Sequence, residues 1–478
     1  MTLRHQMTTG VFWTSIDRFT TQFVQFVVGI VIARIVSPAD FGILGILLVF
    51  VSLSEVFIDS GLGKALIQKN NPTQEDCSTV FYFNLLISVL LYGVLWITSP
   101  IIATFYKMTE LVDLMHIISL ILVLNSLINV PQAIFSIRLD FKSLAIANFV
   151  SAVFGGLVGI LMAIKGFGVW ALVWQTVIRT LVLSIVLTIQ LKWFPSFIFS
   201  KASFKGLYDY GVNLFGSSLI ASVLENLNAM VIGKLFNPKE LGFYTRGLQF
   251  AGLPYLTITS IVYRVLFPAL SSVKEDKVRL VQISKSVIRY LSFLTFPIFL
   301  WIIMIADPIV RVLLTEKWLP SVQIIQIICL ARMITVIAGV SVQLLDAVGR
   351  SDLSLKQNIL KAIIRIVLLV VAYKFGIVWI AIAELASTSI HFFINTYYPG
   401  KILNYGALSQ IRDFMPILIS AALSTMVGFL IMCLIGNLYL KIIFALIISV
   451  TTYVGFLYLF KQRDFFEIIS LIKTHFSK

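Results

Sequence analysis

Five arginines interrupt long apolar runs in this chain: Arg18, Arg179, Arg264, Arg332 and Arg365. A guanidinium keeps its charge in any protein environment and grips phosphate through two parallel hydrogen bonds. In the first run, Thr14, Arg18, Thr21 and Gln25 follow at spacings of 4, 3 and 4, which stacks them on one helical face beside Asp17 and Gln22. A second stripe, Arg246, Gln249, Thr257, Ser260 and Arg264, is spaced 3, 8, 3 and 4, and Pro254 should kink the helix that carries it. Arg332 shares a third face with Thr335, Gly339 and Asp346. Lipid does not tolerate such faces, so they should look into protein or water. Arg18, Arg264, Arg332, Arg246 and Gln25 are the candidate contacts for an anionic ligand. Arg179 and Arg365 serve equally well as members of interhelical ion pairs.

The acids suggest a second chemistry. Ser52, Glu55 and Asp59 form a stripe spaced 3 and 4, and Ser218, Ser222 and Glu225 one spaced 4 and 3. A partly buried carboxylate can bind and release H⁺, or hold Na⁺, as its surroundings open and close. Glu225, Glu55, Asp59 and Asp17 are therefore the candidate ion-coupling groups, and a salt bridge to an arginine or to Lys64 is the plainer role for each. The sharpest expectation is that Glu225→Gln abolishes transport while cargo binding survives. Asn125, Asn129, Gln132 and Ser136, spaced 4, 3 and 4, read as interhelical hydrogen bonds rather than sugar contacts. The four histidines are scattered and the three cysteines lack metal or disulfide spacing. No cofactor, metal or catalytic constellation is expected.

These residues need elements to hold them inside a membrane. The 478-residue chain is 59% hydrophobic and 12% charged, too few polar residues to cover a soluble domain. Its apolar blocks are long enough to cross about 30 Å of hydrocarbon as helices and do not alternate as barrel strands would. About fourteen spans result, making an all-α polytopic membrane protein with no sizeable loop between them. The first apolar run is too long for a cleavable leader and reads as span one. The net charge of +15 gathers in segments on the side of the N-terminus, most densely over residues 273–289. That bias puts both termini in the cytoplasm. A basic face with stacking aromatics is lacking, so nucleic acid is excluded as a partner. Trp170, Trp174, Trp193, Trp301, Trp318 and Trp379 sit near span ends, as interfacial belts do.

The chain also repeats itself. "IVIARIVSPADFGIL" at residues 30–44 returns as "MVIGKLFNPKELGFY" at 230–244. "IRLD" (Arg138, Asp140) returns as "GRSD" (Arg350, Asp352), and "KGFGVW" (Phe167, Gly168, Trp170) as "KFGIVW" (Phe375, Gly376, Trp379). Two pseudo-symmetric six-helix lobes follow, 1–200 and 201–400, with two extra helices and a tail in 401–478. Six spans is an even number, so the copies share an orientation and suit an alternating-access transporter.

"RIVSPADFGILG", followed by "DSGLGKALIQK" (Asp59 to Lys69), resembles the Wzx-type flippases of bacterial polysaccharide biosynthesis, in the multidrug/oligosaccharidyl-lipid/polysaccharide exporter superfamily. The resemblance implies a V-shaped pair of lobes in the cell inner membrane and a lipid-linked oligosaccharide as cargo: an O-antigen, capsule or exopolysaccharide repeat unit. Its polyprenyl pyrophosphate would cross in ion-coupled antiport, and cationic residues on the first helix of such flippases support Arg18 as a contact. Membrane lipids, a polysaccharide polymerase and glycosyltransferases are the expected partners. A multidrug exporter of the same superfamily is the alternative, though intramembrane arginines repel cationic drugs. A membrane glycan polymerase or ligase comes third, for want of a catalytic constellation.

Overall fold

A computed structural model describes residues 3–59, 62–69 and 72–460. Residues 1–245 and 246–478 form two compact units. The first holds α1 (Leu3–Ile35), α2 (Pro38–Asp59), the short α3 (Leu62–Gln68), α4 (Gln74–Tyr106), α5 (Leu111–Ile118), α6 (Leu120–Ile137), α7 (Phe141–Ile164), α8 (Val169–Leu191) and α9 (Lys201–Leu235). Helix α10 (Pro238–Ser271) passes from the first unit into the second, and it is unbroken at Pro254. The second holds α11 (Lys277–Leu313), α12 (Ser321–Ala347), α13 (Ser351–Ala372), α14 (Ile377–Leu403), α15 (Ala407–Leu434) and α16 (Leu438–Leu459). Among the described residues every long element is helical, as backbone inside lipid requires. Helix α9, which sequence assigns to the second lobe, packs within the first unit against α2, α3 and α4, and the first turns of α10 belong to the same unit.

Each repeated phrase writes a helix end. Ser37 Oγ accepts from Asp40 N–H at 3.3 Å and Asn237 Oδ1 from Glu240 N–H at 2.9 Å, so each caps the helix that Pro38 or Pro238 begins. After α6, Leu139 turns left-handed (φ 55°) and Asp140 N–H reaches back to Phe135 O at 3.0 Å. After α12, Gly349 does the same (φ 79°), with Arg350 N–H on Leu345 O at 3.1 Å. Both are chain reversals of the same type, satisfying the helix's last carbonyls. The duplication is thus one of local stop-and-start signals.

The first copy of the opening motif also touches the second. A Cβ on Gly42 would lie 1.7 Å from the Pro238 carbonyl oxygen, and one on Gly242 would lie 1.8 Å from the Pro38 oxygen. Helices α2 and α10 cross backbone to backbone there, each glycine under the other's proline. Only hydrogen at Cα permits the approach. Farther into the same unit, Gly155, Gly156 and Gly159 let α7 wedge between α1 and α8: a Cβ on Gly155 would fall 2.6 Å from Arg179 Cβ, and one on Gly156 would fall 2.5 Å from a Val28 methyl.

Among the described residues, thirteen helical segments are long and apolar enough to cross a membrane by length and composition. The fourteenth expected span, residues 356–373, is α13, whose 22 residues are long enough. Lys356, Lys361 and Arg365 within it depress its hydropathy. That helix packs on α14, which also lies against α12. Elsewhere helices begin earlier than the apolar runs: α9 at Lys201 with Ser200 Oγ on Ser203 N–H, and α11 at Lys277 with Asp276 Oδ1 on Arg279 N–H. A window that senses only hydrocarbon misses these capped polar turns.

Candidate functional site

Within the second unit, α10, α12, α13 and α14 enclose a cavity of about 280 Å³. Arg332 is the twelfth of the 27 residues in α12, placing it roughly 17 Å from the Ser321 end at about 1.5 Å per residue. Lys361 and Arg365 come from successive turns of α13, and Glu384, Ser387, His391 and Asn395 from one face of α14. Tyr255 and Tyr263 of α10 complete the wall. Gly339 makes room for the latter: Tyr263 donates to Val336 O at 3.1 Å, and a Cβ on Gly339 would sit 1.7 Å from the phenol oxygen.

The lining is cationic. Arg332 Nη2 stands 3.3 Å from Glu384 Oε1, and Arg365 Nη2 stands 4.0 Å from Glu384 Oε2. The carboxylate side chain is only 5% exposed, the two guanidinium side chains 25% each, so the cations are the groups that present themselves to the space. Arg332 also lies 5.3 Å over the Tyr255 ring. Lys361 Nζ donates to Asn395 Oδ1 at 3.0 Å, while His391 Nε2 is 2.9 Å from Ser387 Oγ and 3.1 Å from the Lys361 carbonyl. Against one carboxylate the lining sets Arg332, Lys361 and Arg365, an excess of two positive charges with His391 neutral. Such an arrangement can hold a doubly charged anion, bidentately at an arginine and as a point charge at the lysine.

The first unit holds a smaller polar cluster between α1, α7 and α8. Asp17 accepts from Thr21 Oγ1 at 3.2 Å and from Asn148 Nδ2 at 3.1 Å. With its amide oxygen turned toward Arg179, Gln25 accepts from Nη2 and Nη1 at 2.6 and 2.7 Å. The α7 glycines fix the distance between these helices. Here the arginine's hydrogen-bond partner is an amide, whereas in the second unit two arginines share one carboxylate.

The residues singled out from sequence fall in different settings. Arg332 lines the cavity. Arg18 is exposed on the first unit, and Gln25 is half-buried against Arg179. Arg246 is buried, donates to Gln249 Oε1 and stacks 5.4 Å over the Trp318 ring, well packed rather than open. The side chains of Arg264 and Lys64 lie outside the described residues. Glu55 is half-buried and accepts from Asn125 Nδ2 at 2.5 Å; Asp59 and Glu225 are exposed. Sequence reasoning missed Glu384, Lys361, His391 and Asn395. The signal was present: residues 384, 387, 391 and 395 follow at 3, 4 and 4, and 361 and 365 are one turn apart. No chelating group of three or more His, Cys, Asp or Glu occurs among the described residues.

Comparison with known proteins gives this geometry a context. The family described as "Polysaccharide biosynthesis protein" matches residues 31–323. The teichuronic acid biosynthesis protein TuaB of Bacillus subtilis (strain 168) is 26% identical over 369 residues, covering 73% of each chain. The lipopolysaccharide biosynthesis protein WzxC of Escherichia coli (strain K12) is 23% identical over 377 residues, covering 78% of this chain and 76% of that one. Among solved structures, the lipid II flippase MurJ in an inward closed conformation superposes with a TM-score of 0.79 at 15% identity, covering 95% of this chain and 99% of that one. The last likeness is one of fold.

Proposed function

The chain belongs to the polysaccharide biosynthesis protein family, and from that premise we propose that it is a flippase for a polyprenyl-pyrophosphate-linked oligosaccharide. It carries this cargo from the inner to the outer leaflet of the cytoplasmic membrane by alternating access. It is a multi-pass membrane protein and a transporter, not an enzyme. The observation that carries the choice of cargo is the cavity of the second unit, at mid-helix depth, with its excess of two positive charges. A pyrophosphate diester brings about two negative charges into that depth, and cations there offset the cost of taking them through hydrocarbon. At about 280 Å³ the space suits the headgroup and its first sugar rather than a whole glycan. The relatives named for teichuronic acid and lipopolysaccharide biosynthesis support a glycan cargo.

Both termini lie in the cytoplasm on this reading, supported by the basic segments on that side. Return of the empty carrier is coupled to H⁺ or Na⁺, with Glu55, Asp59, Glu225 and Asp17 as the carboxylates available. A polymerase and glycosyltransferases act upstream and downstream of the same cargo. Multidrug export is the weaker reading, because a net positive lining repels cationic drugs. The test is to replace Arg332 and Arg365 with alanine and follow lipid-linked repeat units in cells. Surface polysaccharide should fall at least tenfold while the lipid-linked precursor accumulates on the cytoplasmic leaflet. Normal surface polysaccharide in the double variant overturns the assignment.

A further inference from the structure

We propose that Glu384 is a built-in counter-ion that fills the diphosphate site of the empty transporter and is displaced when cargo arrives. The inference rests on the flippase reading and assigns a role to a residue of the same cavity. Glu384 offers one carboxylate oxygen to each of two arginines from different helices, Oε1 to Arg332 of α12 and Oε2 to Arg365 of α13. That is the geometry one phosphate group would adopt between the same two guanidiniums. The separations, 3.3 and 4.0 Å, are longer than the roughly 2.7–2.9 Å of a tight charge-assisted hydrogen bond. Arg365 Nε is buried and has no hydrogen-bond partner. The two arginines share one negative charge and are neither fully compensated nor saturated, so an anion with more charge and more oxygens can better the carboxylate at both. Lys361, held by Asn395 at 3.0 Å, stands in the same lining to take the second phosphate.

A carboxylate in this position does two things. It keeps two guanidiniums from facing each other uncompensated when the site is empty, which burial makes costly. It also competes with cargo, so binding is weakened and release made easier. A flippase needs that, because a site that holds diphosphate too well cannot let go on the far side.

The experiment measures binding of farnesyl diphosphate, a short soluble polyprenyl diphosphate, to the purified full chain in detergent. Wild type should bind saturably, and Arg365→Ala should lose at least tenfold. Glu384→Gln, which keeps shape but removes the competing charge, should bind at least tenfold more tightly than wild type. Glu384→Asp, which keeps the charge but withdraws it by one methylene from both arginines, should bind with an affinity between those of wild type and Glu384→Gln. Glu316→Gln, which removes an exposed charge paired with Arg311, controls for net charge and should change affinity less than twofold. If Glu384→Gln fails to fold alone, the ligand-induced rise in its melting temperature, compared with that of Glu384→Asp, reads the same quantity once diphosphate is present. Unchanged or weaker binding by folded Glu384→Gln, with wild type and Arg365→Ala behaving as stated, overturns the counter-ion role and leaves the flippase reading standing. No saturable binding by wild type overturns both.

Discussion

Replacing Gly42 with alanine puts a methyl group where the backbone of the other repeat already lies. The added Cβ would be 1.7 Å from the Pro238 carbonyl oxygen and 2.6 Å from its carbon. The obstacle is a helix backbone rather than the end of a flexible side chain, so α2 and α10 must part by more than an ångström. Overpacking of this kind costs about 1–3 kcal/mol, and a rigid obstacle puts it near 3. Gly242→Ala meets the mirror obstacle, the Pro38 oxygen at 1.8 Å, and should cost as much. The two costs should not add, because one separation of the helices relieves both clashes. The double variant is therefore expected to lose little more than either single one, a coupling of about 2–3 kcal/mol in a double-mutant cycle. For a unit of this size each kilocalorie corresponds to about 2–4 °C of melting temperature, so drops of roughly 6–12 °C should appear in purified protein heated in detergent. Additive losses, or a Gly42→Ala protein that melts with wild type, would refute the backbone crossing.

Arg246, buried against Trp318 and Gln249, should act on stability rather than on cargo. Arg246→Ala is expected to cost about 2–3 kcal/mol, with transport per folded molecule unchanged; lost transport at wild-type melting temperature would contradict this. Asp140 caps α7 by accepting from Ser143 N–H at 3.1 Å and Ser143 Oγ at 2.7 Å. Asp140→Ala should lose about 1 kcal/mol, read as a fall of a few degrees in melting temperature. Glu55→Gln should slow transport at least tenfold with diphosphate binding within twofold. Side by side with it, Glu225→Gln ranks the two candidate coupling groups. Desolvation favours the half-buried Glu55, and a larger loss at Glu225 would reverse that ranking.

The fold was legible because its punctuation is local. Ser37 with Pro38, Asn237 with Pro238, and the left-handed Leu139 and Gly349 are decided by a few neighbouring residues, so their recurrence could be read without a structure. The site was legible only where one residue carries the signal: Arg332 is the lone charge between Lys317 and Asp346, with fourteen uncharged residues before it and thirteen after. A stripe of polar residues says that a helix face meets something other than lipid, and it does not say what. Arg246 and Arg332 have equally persuasive stripes, yet Trp318 fills the space over one, while Gly339 and Tyr263 shape a hollow beside the other. That difference lies in which helices are neighbours. Glu384 escaped notice for a related reason, since a single acid in an apolar run looks like an isolated cost until two arginines from other helices stand beside it. Helix α13 carries the argument furthest. Of the basic residues that disqualify it as an ordinary span, Lys356, Lys361 and Arg365, the last two are also two of the three cations in the cavity. In a membrane transporter the helix that fits the lipid least well is therefore the first place to look for cargo.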